Sequence, residues 1–279
     1  MIIDGRKIAG EILDNLKKLP VPRKFLGAVL VGDDPASLNF LKQKEKAAEE
    51  LGISFRLYKL PLDIKTDELR QEIGRLSSPR PCGGFIVQLP LPDQINKHYA
   101  LNAIPKEKDV DLLGEAALGA FYSGRHNIVP PSVGAVEEIL KRSNLNLRQS
   151  KIVLIGAGFL IGKPVGFWLQ NKVAELTVFD SSAQELRAKL KDADVVVSGV
   201  GQANLFGAED LKTGALVIDF GYNVEEMRNE KGEIRKKVVG DFDPAGTEEK
   251  NISYTRTPGG TGPILVAKLF ENFYELNRG

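Results

Sequence analysis

The chain has 279 residues, a length that suits two compact domains, because single hydrophobic cores usually stop growing near about 250 to 300 residues. Hydrophobic residues make up 42% of the sequence and charged residues 27%, which is typical of a globular protein and excludes a disordered or fibrous chain. The 38 basic residues nearly balance the 37 acidic ones, and the formal net charge of +1 is too small to attract polyanions, so nucleic acid is not an expected partner.

Cysteine, histidine and apolar runs set further limits. Cys82 is the only cysteine, so an internal disulfide is excluded and the chain suits a reducing compartment. His98 and His126 have no ligand-like neighbour at metal spacing, and we expect no metal site. No apolar stretch approaches the ~20 residues that cross a bilayer, and the first residues lack an apolar signal core. We therefore expect a cytoplasmic location and no membrane partner.

Apolar and amphipathic segments alternate in the first half of the chain. The spacing of Ile8, Ile12 and Leu16 behind Asp4 predicts an opening helix over 4–19. Further predicted elements are strands at 25–32, 53–60 and 84–89, with helices near 36–51 and 67–76. Continuous apolar strands separated by helices indicate a parallel sheet covered on both faces. Glycines and prolines make 114–131 an irregular segment, which predicts a domain boundary.

The second half repeats this alternation. Its predicted elements are helices near 132–142, 164–171 and 184–190, and strands at 151–156, 176–180, 194–200 and 215–220. A last helix over 263–276 follows a glycine-rich loop and is expected to return to the first domain. The predicted fold is α/β with two doubly wound domains. The first is an α/β catalytic domain at 1–120, joined by helix 263–279, and the second is a Rossmann-type dinucleotide-binding domain at 121–262.

A glycine-containing turn follows the strand at 151–156 and opens a helix. Its glycines, Gly156, Gly158 and Gly162, would let the backbone approach a pyrophosphate at a helix N-terminus. Their G-x-G-x-x-x-G spacing departs from the common G-x-G-x-x-G, and such turns also serve close packing. Asp180 ends the next strand. Its separation from the glycine turn is close to the roughly 20 positions expected of an acidic residue that binds a ribose hydroxyl. Capping of the following helix by Asp180 is the alternative.

Three polar positions are candidates for a reactive site, and the alternative for the lysine among them is an ordinary solvated surface residue on its helix. Lys44 follows Phe40 by one helical turn, so the amine and the ring lie on one helix face. Gln88 ends an apolar strand at the carboxyl edge of the predicted parallel sheet, where open α/β folds bind ligands. Asp109 and Asp111 point the same way if their segment is extended, and a solvated acidic loop is the alternative. The loop at 258–262, PGGTG, can lie close against a flat ligand.

Taken in order, these motifs resemble the bifunctional methylenetetrahydrofolate dehydrogenase/cyclohydrolase family from Ile3 to the C-terminal helix. The shared motifs are IIDG, VGDDPAS before a lysine-bearing helix, VQLPLP, KDVD, a turn ending IGKP, VIDFGYN, GDFD and TPGGTGP. The resemblance implies oxidation of 5,10-methylenetetrahydrofolate with a nicotinamide dinucleotide. It also implies hydrolysis of the methenyl product to 10-formyltetrahydrofolate, and a homodimer formed through the nucleotide-binding domains.

The resemblance also assigns roles to residues. Lys44 would be the catalytic lysine, Gln88 its hydrogen-bonding partner, and Asp111 the carboxylate that holds the amide and amino edge of the pterin. Burial beside Phe40 would lower the pKa of Lys44 towards neutrality. The expected substrate contacts are Phe40, Pro258, Gly259 and Gly260. The expected cofactor contacts are Gly156, Ala157, Gly158, Gly162, Asp180 and Tyr222.

Several positions depart from the family pattern. Phe40 stands where tyrosine is usual, and Leu112 follows KDVD where glycine is common. Pro131 lies in a segment that usually reads Cys-Thr-Pro, and Ile264 follows Pro263 where methionine is usual. These departures would touch the folate. They leave two alternatives open: an NAD-dependent dehydrogenase of another small substrate, and a catalytically silent paralogue that binds folate or cofactor.

The cofactor turn departs from the pattern as well. Ala157 and Gly158 replace an Arg-Ser pair, so a phosphate-binding arginine is missing. Asp180 adds a negative charge that repels the 2′-phosphate of NADP. Either NAD or NADP fits the motif, and these two features predict a preference for NAD.

Overall fold

A computed structural model describes residues 1–180, 185–228 and 234–278. The chain forms two compact units. The large-sheet unit comprises Met1–Ile8 and Ser132–Leu265, and the small-sheet unit comprises Ala9–Pro131 and Val266–Gly279. The chain therefore passes between the units three times, after Ile8, Pro131 and Leu265. The sequence predicted two passages, after residues 120 and 262.

Helices and strands alternate through most of the chain. The helices are α1 (Gly5–Leu16), α2 (Pro35–Glu50), α3 (Thr66–Ser77), α4 (Lys97–Leu101), α5 (Glu115–Tyr122), α6 (Pro131–Arg142), α7 (Gly162–Leu169), α8 (Leu186–Leu190) and α9 (Thr261–Leu276). The strands are β1 (Ile2–Ile3), β2 (Phe25–Val31), β3 (Phe55–Leu60), β4 (Cys82–Val87), β5 (Lys151–Ile155), β6 (Glu175–Phe179), β7 (Val195–Ser198), β8 (Phe206–Gly207), β9 (Leu216–Asp219), β10 (Asn223–Arg228), β11 (Ile234–Val239), β12 (Phe242–Asp243) and β13 (Ser253–Thr255).

The small-sheet unit is built on three parallel strands in the order β3-β2-β4. Every residue of β2 and β4 is buried, as expected of strands covered on both faces. Leu26 and Ile86 from the sheet share one apolar core with Phe270 and Phe273 of α9. Parallel strands have their carboxyl ends at the same edge of a sheet. The residues after Val87 of β4 therefore lie at the same edge as the start of α2, which follows β2.

The large-sheet unit has six parallel strands in the order β1-β13-β9-β7-β5-β6. After β5 the chain first adds β6 on one side and then returns to add β7 on the other. The connections that follow β5 and β7 therefore leave the sheet in opposite directions. Open α/β sheets bind ligands in the crevice that this leaves at the carboxyl ends of the two strands. The predicted α/β class with two parallel-sheet domains is confirmed.

One predicted irregular segment is wrong, because Glu115–Tyr122 forms the helix α5. Ala117, Ala120 and Phe121 bury one face of this helix. Gly124 has a left-handed φ of +67° and donates its N–H to the Phe121 carbonyl at 3.0 Å. Such a glycine is a standard helix C-terminus. Of the glycines that predicted a boundary, Gly114 and Gly124 therefore flank a helix and Gly119 lies inside it.

Other elements were not predicted. Strand β1 adds the N-terminal residues to the large sheet through β13, and β10 pairs with β11 as an antiparallel ribbon. The predicted helix at 184–190 begins at Gln184, which lies outside the described residues, and α8 is described from Leu186. Within the described ranges no helix is both long and apolar enough to cross a bilayer.

Candidate active site

Helix α2 begins at a capped turn that sets which residues face the core. The Asp34 carboxylate accepts a hydrogen bond from the Ser37 N–H at 2.7 Å, and Pro35 occupies the first helical turn. This register buries Leu41, Lys44 and Ala48 on one face. Lys44 is only 4% exposed, which is uncommon for a lysine unless it is paired.

Three groups surround the Lys44 amine. Its Nζ donates to Gln88 Oε1 at 3.2 Å and lies 3.9 Å from Asp111 Oδ2 and 4.9 Å from the centre of the Phe40 ring. Gln88 donates its own amide N–H to the Leu89 carbonyl at 2.7 Å, so its oxygen faces the amine. Four predicted site residues, from α2, the end of β4 and the turn before α5, thus meet in the small-sheet unit.

Burial and charge act against each other on this lysine. Burial lowers the pKa of Lys44, and the neighbouring Asp111 charge raises it in part. Burial likewise raises the pKa of Asp111, and the Lys44 charge opposes that shift. The result is an amine that gives up its proton more easily than an exposed lysine, which a proton-transfer catalyst at moderate pH requires.

The KDVD segment is an ordered buried turn, so the alternative of a solvated acidic loop is wrong. Asp109 is fully buried and accepts hydrogen bonds from the N–H groups of Leu113 at 2.9 Å and Gly114 at 2.7 Å. Burial raises the pKa of Asp109 to about 7, although these backbone hydrogen bonds oppose the shift. Asp111 is partly exposed, at 18% of its side chain.

Leu112 adopts a left-handed φ of +53° inside this turn and is 1% exposed. The left-handed conformation costs a residue with a β-carbon about 1–2 kcal/mol, which burial of the leucine side chain, worth about 1.5–3 kcal/mol, offsets. In urea unfolding we expect Leu112→Ala to lose about 2–5 kcal/mol of stability. Leu112→Gly should lose about 1 kcal/mol less than the alanine variant, because glycine accepts this φ. An alanine variant more stable than the glycine variant would show that the left-handed φ at residue 112 costs no stability.

In the glycine turn of the large-sheet unit, the backbone at the start of the turn packs closely against the backbone at its end. Gly156 has a φ of +91° and donates its N–H to the Phe179 carbonyl at 2.7 Å. A β-carbon on Gly162 would lie 1.9 Å from the Gly156 oxygen, whereas one on Gly158 would meet no atom within 4 Å. The backbone at Ala157 and Gly158 is therefore exposed just before α7, so the turn fits a pyrophosphate.

Sequence reasoning missed a residue that holds this turn. The Ser132 hydroxyl at the start of α6 donates to the Leu160 carbonyl at 2.7 Å. Neither side chain type nor spacing distinguishes Ser132 from an ordinary helix-start serine. Only the tertiary contact identifies its role.

Two buried aspartates at the carboxyl ends of the large-sheet strands were also missed. Asp241 accepts hydrogen bonds from the Ser198 hydroxyl at 2.7 Å and from the N–H groups of Val200 and Gln202, each at 2.9 Å. It therefore anchors the loop after β7, beside the switch point between β5 and β7. The GDFD motif was the signal for it in the sequence.

Asp219, the last residue of β9, plays the same part there. It accepts hydrogen bonds from the N–H groups of Gly221 at 2.7 Å and Phe242 at 3.1 Å. Burial raises its pKa to about 7, and the charge of Asp241 acts in the same direction. The sequence signal for Asp219 is an acidic residue that ends an apolar strand just before F-G.

The remaining predicted contacts lie in the large-sheet unit. Asp180 is exposed at the end of β6, and residues 181–184 lie outside the described residues, so capping of the following helix by Asp180 stays an alternative. Tyr222 is exposed directly after Gly221. Pro258 is exposed, and Gly259 has a φ of +101°.

Gly260 is buried, and a β-carbon there would lie 2.5 Å from the Arg256 carbonyl oxygen. Packing within the loop therefore explains this glycine, and its predicted contact with substrate stays a prediction. Among the described residues, no cluster of three or more His, Cys, Asp or Glu side chains is arranged to hold a metal.

The fold and these residues define an α/β enzyme class. One unit carries a dinucleotide-type glycine turn, and the other carries a buried lysine beside a carboxylate. Such a pairing joins redox chemistry supplied by a cofactor to proton transfer supplied by the protein.

Comparison with known proteins assigns the family. The catalytic-domain model of the tetrahydrofolate dehydrogenase/cyclohydrolase family matches residues 3–111, and its NAD(P)-binding-domain model matches residues 130–278. The bifunctional protein FolD of Geotalea daltonii is 37% identical over 98% of this chain and 97% of its own length. That of Bacillus subtilis is 35% identical over 97% of this chain and 95% of its own length.

Solved structures agree with these matches. The bifunctional FolD enzyme of Campylobacter jejuni superposes with a TM-score of 0.88 at 32% identity, covering 100% of this chain and 98% of that one. The FolD of Trypanosoma brucei, solved with NADP and an inhibitor, gives 0.90 at 30% identity, covering 100% and 97%. The chain belongs to the tetrahydrofolate dehydrogenase/cyclohydrolase family and carries its dehydrogenase and cyclohydrolase activities.

Proposed function

We propose that Lys44 is the proton-transferring residue of this bifunctional enzyme, with Gln88 and Asp111 as its partners. The substrate is 5,10-methylenetetrahydrofolate, whose one-carbon bridge loses a hydride to give the methenyl cation. Water then adds to that cation to give 10-formyltetrahydrofolate and a proton. The observation that carries the proposal is the buried Lys44 amine, held 3.2 Å from Gln88 and 3.9 Å from Asp111.

The hydrolysis step is where the amine acts. Neutral Lys44 accepts a proton from water as the water oxygen bonds to the methenyl carbon. The carbon then carries a hydroxyl group between two nitrogens. Cleavage of the bond to one nitrogen, with transfer of a proton to that nitrogen and loss of the hydroxyl proton, leaves the formyl group on the other. Burial favours the neutral amine that this step needs, and the Gln88 oxygen orients it.

Asp111 and Phe40 would hold the substrate. The Asp111 carboxylate accepts hydrogen bonds from the amide and amino N–H groups of the pterin, a two-point contact that fixes the orientation of the ring. The Phe40 ring offers a flat apolar face for stacking. A tyrosine hydroxyl is absent here, so proton transfer falls to Lys44 without help from residue 40.

The large-sheet unit would hold the nicotinamide dinucleotide. When bound, the nicotinamide accepts the hydride from the one-carbon bridge. The exposed backbone of Ala157 and Gly158 would contact the pyrophosphate, with Gly156 and Gly162 shaping the turn. Asp180, at the end of the neighbouring strand β6, would accept hydrogen bonds from the adenosine ribose hydroxyls. The family resemblance alone supports the proposed homodimer formed through the large-sheet units.

NAD should be preferred over NADP. An exposed carboxylate at Asp180 repels a 2′-phosphate, and Ala157 offers no positive charge to neutralise it. An ultraviolet assay with methylenetetrahydrofolate and each dinucleotide should show a lower KM for NAD. Asp180→Ser combined with Ala157→Arg should lower the KM for NADP by about 10- to 100-fold, the effect of one or two charge-assisted hydrogen bonds.

A matched acidic substitution controls this experiment. Asp192 is exposed just before β7, so it lies at the amino ends of the strands, whereas Asp180 lies at their carboxyl ends. Asp192→Ser should therefore leave both KM values unchanged. An unmodified enzyme whose KM for NADP is lower by about tenfold or more would overturn the proposed preference. Formation and decay of the methenyl absorbance in the same assay report the two activities separately.

A further inference from the structure

The Asp111 carboxylate has no hydrogen bond of its own in the part of the chain that the structure describes. Its nearest cation is Lys44, at 3.9 Å, which is a loose ion pair. Its oxygens are therefore open to a ligand, and the backbone of residues 109–114 sets the direction in which they point. Whatever holds that backbone determines the position of the carboxylate.

One side of the backbone is held by Asp109. Its Oδ2 accepts hydrogen bonds from the Leu113 and Gly114 N–H groups, at 2.9 and 2.7 Å, while its Oδ1 accepts from Leu113 at 3.1 Å. These bonds close the turn over Leu112 and require its left-handed φ. A β-carbon on Gly114 would lie 3.2 Å from Asp109 Oδ2, so the small residue leaves room for this contact.

The other side is held from far along the chain. Asn272 of α9 is 7% exposed, and its Nδ2 donates to the carbonyls of Val110 and Val129, both at 2.8 Å. Val110 directly precedes Asp111. A single amide therefore ties this peptide to the segment before α6, and both N–H groups of the amide are used.

We propose that Asp109 and Asn272 are positioning residues for the folate, which act by fixing the backbone on either side of Asp111. Neither side chain touches the substrate in this scheme. The inference rests on the proposed contact between Asp111 and the pterin. Because the Asp111 side chain has no hydrogen bond of its own to hold it, a small shift of its backbone moves both carboxylate oxygens together.

A double-mutant cycle tests the proposal. Asp109→Asn removes the charge and one acceptor, and we expect it to lower kcat/KM for methylenetetrahydrofolate by about 10- to 100-fold, mostly through KM. The KM for the dinucleotide should stay unchanged. In an Asp111→Asn background, the same Asp109→Asn substitution should change kcat/KM by less than about threefold, because the group it positions is already lost.

Asn272→Leu provides a second, independent arm with nearly the same shape and no donor. It should repeat the pattern of Asp109→Asn in both backgrounds, which keeps the test decisive if the aspartate variant folds poorly. Ile73→Ala, which truncates a fully buried side chain in α3, is the destabilised control and should leave the KM for folate unchanged.

The outcomes separate the two levels of the proposal. If Asp111→Asn leaves the KM for folate unchanged, the proposed contact of Asp111 with the substrate fails. If Asp111→Asn raises that KM but Asp109→Asn and Asn272→Leu reduce kcat/KM equally in both backgrounds, the contact stands and the positioning role is refuted. A loss in Ile73→Ala that matches theirs would assign their effect to stability.

Discussion

Replacing Lys44 with methionine should lower the cyclohydrolase kcat by about 100- to 10,000-fold, the usual contribution of a positioned proton-transfer group. Methionine keeps the length and the apolar stem of the side chain but cannot accept a proton. The rate is measured as decay of the methenyl absorbance after adding methenyltetrahydrofolate. Hydride transfer needs no proton from Lys44, so dehydrogenase activity should fall less.

The matched control is Lys42→Met on the same helix. Lys42 is exposed, and its replacement should leave both activities intact. Undiminished cyclohydrolase activity in Lys44→Met would remove Lys44 from the mechanism. Equal losses in the Lys42 and Lys44 variants would point to a general effect of methionine on α2.

Stability distinguishes loss of chemistry from loss of folding. Burial lowers the pKa of Lys44 below its unfolded value, so between the two values the unfolded chain binds more protons than the folded one. The lysine therefore destabilises the fold at neutral pH, and this penalty shrinks as the pH rises through that window. Lys44→Met removes the penalty, so its urea midpoint at neutral pH should be at least that of the unmodified enzyme.

Gly162→Ala should produce the opposite pattern of activities. Its added β-carbon would lie 1.9 Å from the Gly156 oxygen and 2.8 Å from the Ala157 Cα, both backbone atoms of the cofactor turn. Overpacking of this kind costs about 1–3 kcal/mol, which would raise the KM for the dinucleotide between roughly 5-fold and 150-fold. Hydrolysis of added methenyltetrahydrofolate needs no dinucleotide and should persist.

Gly158→Ala is the matched comparison within the same turn. A β-carbon at residue 158 meets no atom within 4 Å, so the turn keeps its shape and the KM for the dinucleotide should change by less than about threefold. A larger effect at Gly158 than at Gly162 would show that the bound cofactor, and not internal packing, determines which glycine is needed.

Local patterns predicted where Phe40, Lys44 and Gln88 lie, whereas the catalytic role of Lys44 came from the family resemblance. The one-turn spacing of Phe40 and Lys44 determines a shared helix face, and Gln88 at a strand end determines its position at the sheet edge. Both follow from repeat lengths of regular elements. The structure places the two side chains and Gln88 around one point, as those repeats require.

Residues that act through tertiary contacts could not be predicted in the same way. Asn272 lies in an ordinary amphipathic helix, and only the packing of α9 brings its amide to Val110. Asp109 was indistinguishable from a solvated acidic residue, because burial of a charge depends on the N–H groups that surround it. Helix α5 was missed because glycine marks both boundaries between domains and helix ends.

The pairing of β1 with β13 has a consequence for synthesis on the ribosome. Ile2 and Ile3 are made about 250 residues before their partners at 254 and 255. Packing of the small sheet also depends on late residues, since Phe270 and Phe273 fill its core. The core of each unit is therefore completed only after these late residues have been made, and the apolar strands made earlier stay exposed to aggregation until then.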